Sequence, residues 1–280
     1  MSSSKQVPRR NLSVKGLQAA LAGRLDLRLS GWEILGSVMV VSLDPGYSEN
    51  EKTLIGETIV RLHPTAETVV NRMSIDDELR EPVTEVIAGS KTESIHVENG
   101  CKYRIDPTKV MFSFGNKEER ERMATVSSPN ETVVDMFSCV GQFTLPLAKH
   151  SRPRKVYAVE KNPAAFQFLK ENIVLNKLSN VDPLLGDCRE VCPTGVADRV
   201  LMGYLFETER FLPTAINALN EHGTLHYHFN CTEEKLEGEI QSVLKLASEH
   251  AASAKVSKTV KVKSYAPKMY HWVLDIDIEK

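Results

Sequence analysis

Long hydrophobic runs are absent from this chain: no stretch approaches the roughly 18 apolar residues of a membrane-spanning helix. The start, MSSSKQVPRR, has no apolar segment of the kind that directs secretion, which points to the cytoplasm and away from membranes. Cysteine is scarce and unpaired. The five (Cys101, Cys139, Cys188, Cys192, Cys231) are odd in number and form no CxxC, so neither a disulfide framework nor a zinc site is indicated. Cys188 and Cys192 stand four apart with no histidine nearby to complete a metal set. Several catalytic signatures are also missing. There is no GxxxxGK[ST] phosphate loop, no HExxH and no GxSxG, which excludes the commonest nucleotide hydrolases, zinc proteases and serine hydrolases.

What is present is ordinary globular material. The 280 residues are 41% hydrophobic and 26% charged, enough for one large domain or two modest ones with proper cores. The net charge of −2 hides two basic clusters. Lys5, Arg9, Arg10, Lys15, Arg24 and Arg28 face only Asp26 in residues 1–31, and Lys255, Lys258, Lys261, Lys263 and Lys268 have no acid between Glu249 and Asp275. Such clusters can neutralise phosphates, although by charge alone a solvated face is the simpler reading.

The pattern along the chain changes near residue 125. Residues 1–12 read as polar and mobile, and Ser13 caps a helix over VKGLQAALAGRL. Glu33–Leu43 reads as a strand broken at Gly36, residues 50–62 as a helix, 68–72 as extended and 75–89 as loop with a short helix around Pro82. Asn99-Gly100 between alternating segments predicts a hairpin. From 132 onward, strands at 132–137, 155–159, 181–185, 198–204 and 223–229 alternate with helices at about 142–149, 162–176, 207–220 and 233–250. A terminal strand pair turns at Ala266-Pro267. The prediction is an α/β protein: a basic segment over 1–32, a small α+β domain with linker over 33–125, and a doubly wound sheet with a seventh, antiparallel strand over 126–280.

Ligands of such sheets sit at the carboxyl ends of the strands. Asp135 ends the first strand, and Phe137-Ser138-Cys139-Val140-Gly141 leads into a helix. One glycine is a poor version of the three-glycine fingerprint, so a pyrophosphate is disfavoured. Glu160, 19 residues beyond Gly141, is followed by Asn162-Pro163 and is placed to accept from two ribose hydroxyls. Asp187, past the third strand, could accept from an adenine amino group. Either acid alone is as readily a solvated turn residue. Together they fit an adenosine without phosphates, as in S-adenosylmethionine. His226 and His228 share a face of one strand, but no third metal ligand is evident and buried or edge histidines are the simpler reading.

The blocks DMFSCVGQFTLPLA, VYAVEKNPAAFQFLKENIVLN, LLGDCREV, ADRVLMGY and GTLHYH, with AGSKTESIHVENGCKYRIDPTKVMFS upstream and KSYAPKMYHWVLDI downstream, resemble the class I methyltransferase-like enzymes that modify the purine 3′ of the tRNA anticodon. Two branches share them: the tRNA guanine N1-methyltransferases and the tRNA wybutosine-synthesizing protein 2 branch, which transfers an aminocarboxypropyl group. Where the methyltransferases carry Asn-Leu-Pro, this chain has Met202-Gly203-Tyr204, and Gly115-Asn116 replaces their Pro-Arg-Leu, both as in the second branch.

That resemblance implies transfer of the 3-amino-3-carboxypropyl group of S-adenosylmethionine to 4-demethylwyosine in tRNA-Phe, releasing methylthioadenosine. It implies cofactor contacts at Ser113, Arg120, Asp135, Phe137, Gly141, Glu160, Asn162, Asp187 and Cys188, with the Arg120 guanidinium gripping the methionine carboxylate. It makes Glu131 a candidate base, against the alternative of a strand-start acid, and turns Lys255, Lys258, Lys261 and Lys263 toward tRNA phosphates. Cys139 and Cys188 stand where relatives carry Gly and Asn. A monomer without the elbow-reading N-terminal domain of the methyltransferases is expected. Guanine N1-methylation and non-catalytic tRNA binding are the alternatives.

Overall fold

The computed structural model describes residues 13–76 and 79–280. The mobile stretch expected over residues 1–12, with Lys5, Arg9 and Arg10, lies outside the described residues. These residues divide into two compact units, one running to Val97 with Arg104–Met111, the other Glu98–Tyr103 with Phe112–Lys280. Among the described residues no helix is long and apolar enough to cross a membrane.

The first unit contains α1 (Val14–Leu21), β1 (Leu29–Leu35), β2 (Val38–Leu43), α2 (Glu49–Leu62), β3 (Thr68–Asp76) and β4 (Glu81–Ala88). Its sheet has the order β1-β2-β3-β4, with only the β2–β3 pair parallel. Ser13 caps α1 as expected, and α2 starts with a capping box in which the Ser48 amide donates to Glu51 at 2.8 Å. Leu17, Leu21, Ile55 and Ile59 from the helices meet Met39, Val41 and Val69 from the sheet.

Two expectations are corrected here. The single strand broken at Gly36 is a hairpin of β1 and β2, whose turn holds Gly36 at φ +59 with no room for a Cβ beside the Ile95 carbonyl. The loop expected over 75–89 is β4. Pro82 misled because it lacks a ladder donor, yet β4 is an edge strand, where that donor is dispensable.

Next come β5 (Ser94–Glu98) and β6 (Cys101–Ile105), a two-stranded hairpin. Asn99 and Gly100 both take positive φ, the geometry of the predicted tight turn. After a 3₁₀ turn at Phe114–Asn116 and α3 (Lys117–Met123), the second unit lays down β7 (Thr132–Asp135), α4 (Thr144–Pro146, continued by a wider turn to Ser151) and β8 (Lys155–Glu160). It goes on with α5 (Pro163–Leu175), β9 (Val181–Leu185), α6 (Cys188–Val191), β10 (Ala197–Met202), α7 (Leu212–Ala218) and β11 (Leu219–Cys231). It ends with α8 (Leu236–Ala247), β12 (Ser253–Ala266) and β13 (Met269–Glu279). The sheet order is β12-β13-β11-β10-β7-β8-β9, parallel from β9 to β11, with β13 antiparallel to both neighbours. β11 begins four residues earlier than expected, because Leu219 is already extended and pairs with Ala197.

Alternating residues give this sheet two different faces. Val200, Met202, Leu225, Tyr227, Leu274 and Ile276 pack with Leu212, Ile216 and Val243 in an apolar core. The alternate positions carry a buried polar network. Arg122 of α3 donates to Asp275 at 2.6 and 3.1 Å and to Glu119 at 2.8 Å twice. Arg199 donates to His226 Nε2 at 2.8 Å, so His226 is neutral and its Nδ1–H donates to Asp275 at 2.6 Å. Burial alone would raise the Asp275 carboxyl, but the His226 and Arg122 hydrogen bonds outweigh it and hold the pKa at about 2. His228 Nδ1 and His271 Nε2 are hydrogen-bonded across β11 and β13 at 2.9 Å.

Glu119 is 1% exposed and Asp275 12% on their side chains, so removing their common partner strands two buried charges. Arg122→Ala is therefore expected to cost about 3 to 5 kcal/mol in urea unfolding. A loss under about 1 kcal/mol, the range of surface pairs, would show that the network does not dock α3.

Candidate functional site

At β7 the strand order reverses: β8 follows on one side and β10 on the other. Connections leave in opposite directions there and open a crevice at the carboxyl ends, the usual ligand position in such sheets. Asp135, at the end of β7, is fully buried; it accepts from the Thr144 hydroxyl at 2.6 Å and the Phe137 amide at 3.3 Å. Burial pushes its carboxyl up to about 6, against those hydrogen bonds. Its geometry is that of a brace for the following turn.

That turn holds Cys139 at φ +50 and Gly141 at φ +97. A Cβ at Gly141 would come 2.6 Å from Leu145, so only glycine fits there. Burial, with Glu160 beside it, pushes the Cys139 thiol up to about 12, so it is an inert thiol held in a backbone region that favours glycine.

Glu160 closes β8 and joins the two strand-end turns. One carboxylate oxygen accepts from the Cys139 amide and the other from the Asn162 amide, both at 2.7 Å. Burial raises its pKa while these donors oppose the rise. Each oxygen retains a lone pair for a further donor. Asn162 caps α5 through the Ala164 and Ala165 amides at 2.8 and 3.3 Å, with Pro163 at the first helical position.

Asp187 caps α6 and is held by Arg189 (2.6 and 2.9 Å) and Lys161 (3.2 Å). Hydrogen bonds from Arg189 take its pKa well below the usual carboxylate range, so it is a fixed anion. Cys188 is buried, and burial raises its thiol to about 12.

Phe137 stacks on Tyr204, with ring centroids 5.1 Å apart and planes 18° apart, and meets Phe211 edge-on at 5.0 Å. Tyr204 continues to Phe206 at 5.8 Å, and Phe206 to Tyr265 at 6.5 Å. The sequence reading missed Phe206, Phe211 and Tyr265, because isolated aromatics in a loop, a short 3₁₀ turn and the end of an edge strand carry no periodic signal. Gly203 leaves room for the Phe143 ring, which a Cβ would approach to 2.9 Å.

The structure brings together Asp135, Phe137, Gly141, Glu160, Asn162, Asp187, Cys188, Gly203 and Tyr204, and separates others. Met202 is fully buried in the apolar core, so its side chain does not line the crevice, contrary to a selective role. Glu131 precedes β7 at the amino end of the sheet, about 13 Å of strand from Asp135. It is bound bidentately by Arg199 at 2.9 and 3.2 Å. Burial raises its pKa, and Arg199 outweighs burial and lowers it. A paired anion at the far end of the sheet is poorly placed and poorly suited to be a base.

Arg120 is 1% exposed. It binds Glu98 bidentately at 2.6 and 2.9 Å, donates to the Ser113 carbonyl at 2.5 Å and lies over the Phe112 ring at 4.6 Å. The expected grip on a free carboxylate meets a guanidinium already matched to an internal one. Ser113 borders the crevice: its amide donates to Gln142, next to Gly141, at 2.9 Å, and its hydroxyl accepts from Lys263 at 3.0 Å.

Lys255 and Lys258 project from the exposed edge strand β12, where lysines also block strand addition. Lys261 pairs with Glu233 at 2.6 Å and lies 3.4 Å from the Tyr270 ring centre.

Comparison with known proteins shows the family. A family profile described as "TRM5/TYW2 methyltransferase domain" matches residues 94–257, more than half the chain, and "TYW2 N-terminal domain" matches 15–92. A Methanocaldococcus jannaschii protein named tRNA(Phe) (4-demethylwyosine(37)-C(7)) aminocarboxypropyltransferase is 42% identical over 89% of this chain and 98% of its own length. The solved M. jannaschii TYW2 in complex with AdoMet aligns with TM-score 0.72 and 37% identity, covering 89% of this chain and all of that one. Pyrococcus horikoshii TYW2 in complex with MeSAdo aligns with TM-score 0.82 and 34% identity over 94% and 98%.

The buried Asp135 gives this site a pH signature. Its folded pKa, about 6, lies above the ordinary 3.8, so the folded protein keeps a proton that the unfolded chain releases. Stability therefore falls as pH climbs from about 4 to about 6, by about 3 kcal/mol for two units. Asp135→Asn should remove that part of the fall in chemical unfolding at stepped pH; superimposable pH profiles would contradict the assignment.

Proposed function

The chain belongs to the TRM5/TYW2 methyltransferase-domain family, and on that premise we propose that it transfers the 3-amino-3-carboxypropyl group of S-adenosylmethionine to 4-demethylwyosine beside the anticodon of tRNA-Phe. The observation that carries this reading is the relative of that activity, matched along 98% of its length at 42% identity. Gly203 supports it, because a leucine, as in the methyltransferases' Asn-Leu-Pro, would collide with Phe143.

The crevice fits an adenosylated cofactor on its own terms. Its turn has no pyrophosphate fingerprint, and Glu160 keeps acceptor capacity where a ribose diol would lie. The stacked Phe137 and Tyr204 offer aromatic faces beside the turn. S-adenosylmethionine supplies a sulfonium that activates three carbons, and the product depends on which one meets the nucleophile. The protein's part is positional: the braced turn fixes the nucleoside, and alignment alone can be worth about 7 to 11 kcal/mol of barrier. Attack by the ring carbon would form a carbon–carbon bond, break the bond from sulfur to the aminocarboxypropyl chain and leave methylthioadenosine, and the ring carbon would then lose its proton to solvent. The tRNA is assigned to residues 33–125 and to Lys255, Lys258 and Lys261 of β12, and the cofactor to 126–280.

With tRNA carrying 4-demethylwyosine, chromatography should find methylthioadenosine as the by-product. S-adenosylhomocysteine formed with unmodified tRNA would instead make the chain a guanine N1-methyltransferase. Glu160→Ala should weaken S-adenosylmethionine binding in calorimetry by more than about tenfold, about 1.4 kcal/mol. Unchanged affinity would remove Glu160 from the site.

A further inference from the structure

Arg120 is matched to Glu98, and a second cation, Lys263, reaches the same Ser113. Lys263 stands on β12 among lysines that face solvent, yet it is half-buried and donates from Nζ to the Ser113 hydroxyl at 3.0 Å. Its stem lies against the backbone of Gly115. A Cβ there would fall 2.7 Å from Lys263 Cδ and 3.0 Å from Nζ, so the stem passes directly over the glycine on its way to Ser113.

Ser113 is tied to the turn after β7 through Gln142, and that turn is tied to Glu160 through the Cys139 amide. The ammonium therefore sits at the rim of a crevice whose floor carries the buried acids Asp135 and Glu160, while the cations Arg189 and Lys161 are paired to Asp187. Arg120, the other cation beside Ser113, is neutralised by Glu98.

Resting on the S-adenosylmethionine reading above, we propose that Lys263 binds the carboxylate of the cofactor's amino-acid chain and so orients the carbon that is transferred. In methyl transfer that chain is a spectator. In aminocarboxypropyl transfer it is the reacting group, and a cation on its far end sets the angle at which the carbon bonded to sulfur meets the nucleophile.

Calorimetry of the full chain with S-adenosylmethionine and with methylthioadenosine, which lacks the carboxylate, tests this together with filter binding of tRNA. Lys263→Gln should weaken S-adenosylmethionine by about tenfold or more, the size expected for losing one hydrogen bond to a charged group. Methylthioadenosine and tRNA affinities should stay unchanged. Lys263→Arg should recover most of the loss. Equal weakening of both nucleosides would make Lys263 a structural residue. Unchanged S-adenosylmethionine affinity with weaker tRNA binding would make it an RNA contact, and either result overturns the proposal. Failure of the unmutated protein to bind S-adenosylmethionine would overturn the functional reading itself.

Discussion

Two backbone amides at the ends of neighbouring parallel strands must find an acceptor, and Glu160 supplies it for both. The turns after β7 and after β8 leave the carboxyl ends of neighbouring strands beyond their last ladder pairs, so neither amide can be satisfied by the sheet. A single carboxylate accepts from Cys139 on one side and Asn162 on the other. The turn shape that lets a ligand approach, the cap of α5 and the spare acceptor capacity of the site are consequences of that double bond. Asp135 repeats the device one layer deeper, bracing the same turn from beneath through Thr144 and Phe137.

A second constraint decides where selectivity resides. α3 is docked on the polar face of the large sheet by charges. Glu119 and Arg122 meet Asp275 and the neighbouring histidines, while Arg120, one residue along, holds Glu98 and the Ser113 carbonyl. Buried ion pairs are costly to assemble and costlier to break singly, so they specify a position more than they stabilise it. Ser113 and Gly115 are thereby held at the crevice rim, where Lys263 arrives from the other end of the chain. In the proposed reading the strand ends hold the nucleoside and this rim holds the group to be transferred.

The parallel strands were legible because buried strands read as short apolar runs and their helices as capped periodic ones. The hairpin at Asn99-Gly100 was legible because both residues tolerate positive φ. Glu160 could be placed from its offset beyond Gly141 alone. β4 was hidden by Pro82, whose meaning depends on lying at a sheet edge, which is a tertiary fact. Long-range pairing hid the rest. Nothing in the sequence marks Glu98 as the partner of Arg120, Arg199 as the partner of Glu131, or Ser113 as the partner of Lys263. The lysines of β12 looked alike because charge is visible in a sequence and direction is not.

The most direct measurement follows two labels through one turnover. S-adenosylmethionine labelled either at its methyl group or at its carboxyl carbon is incubated with the protein and tRNA containing 4-demethylwyosine. The account predicts that the carboxyl label enters the tRNA while the methyl label stays with the released nucleoside. Methyl label in the tRNA, with carboxyl label left in solution, would contradict it.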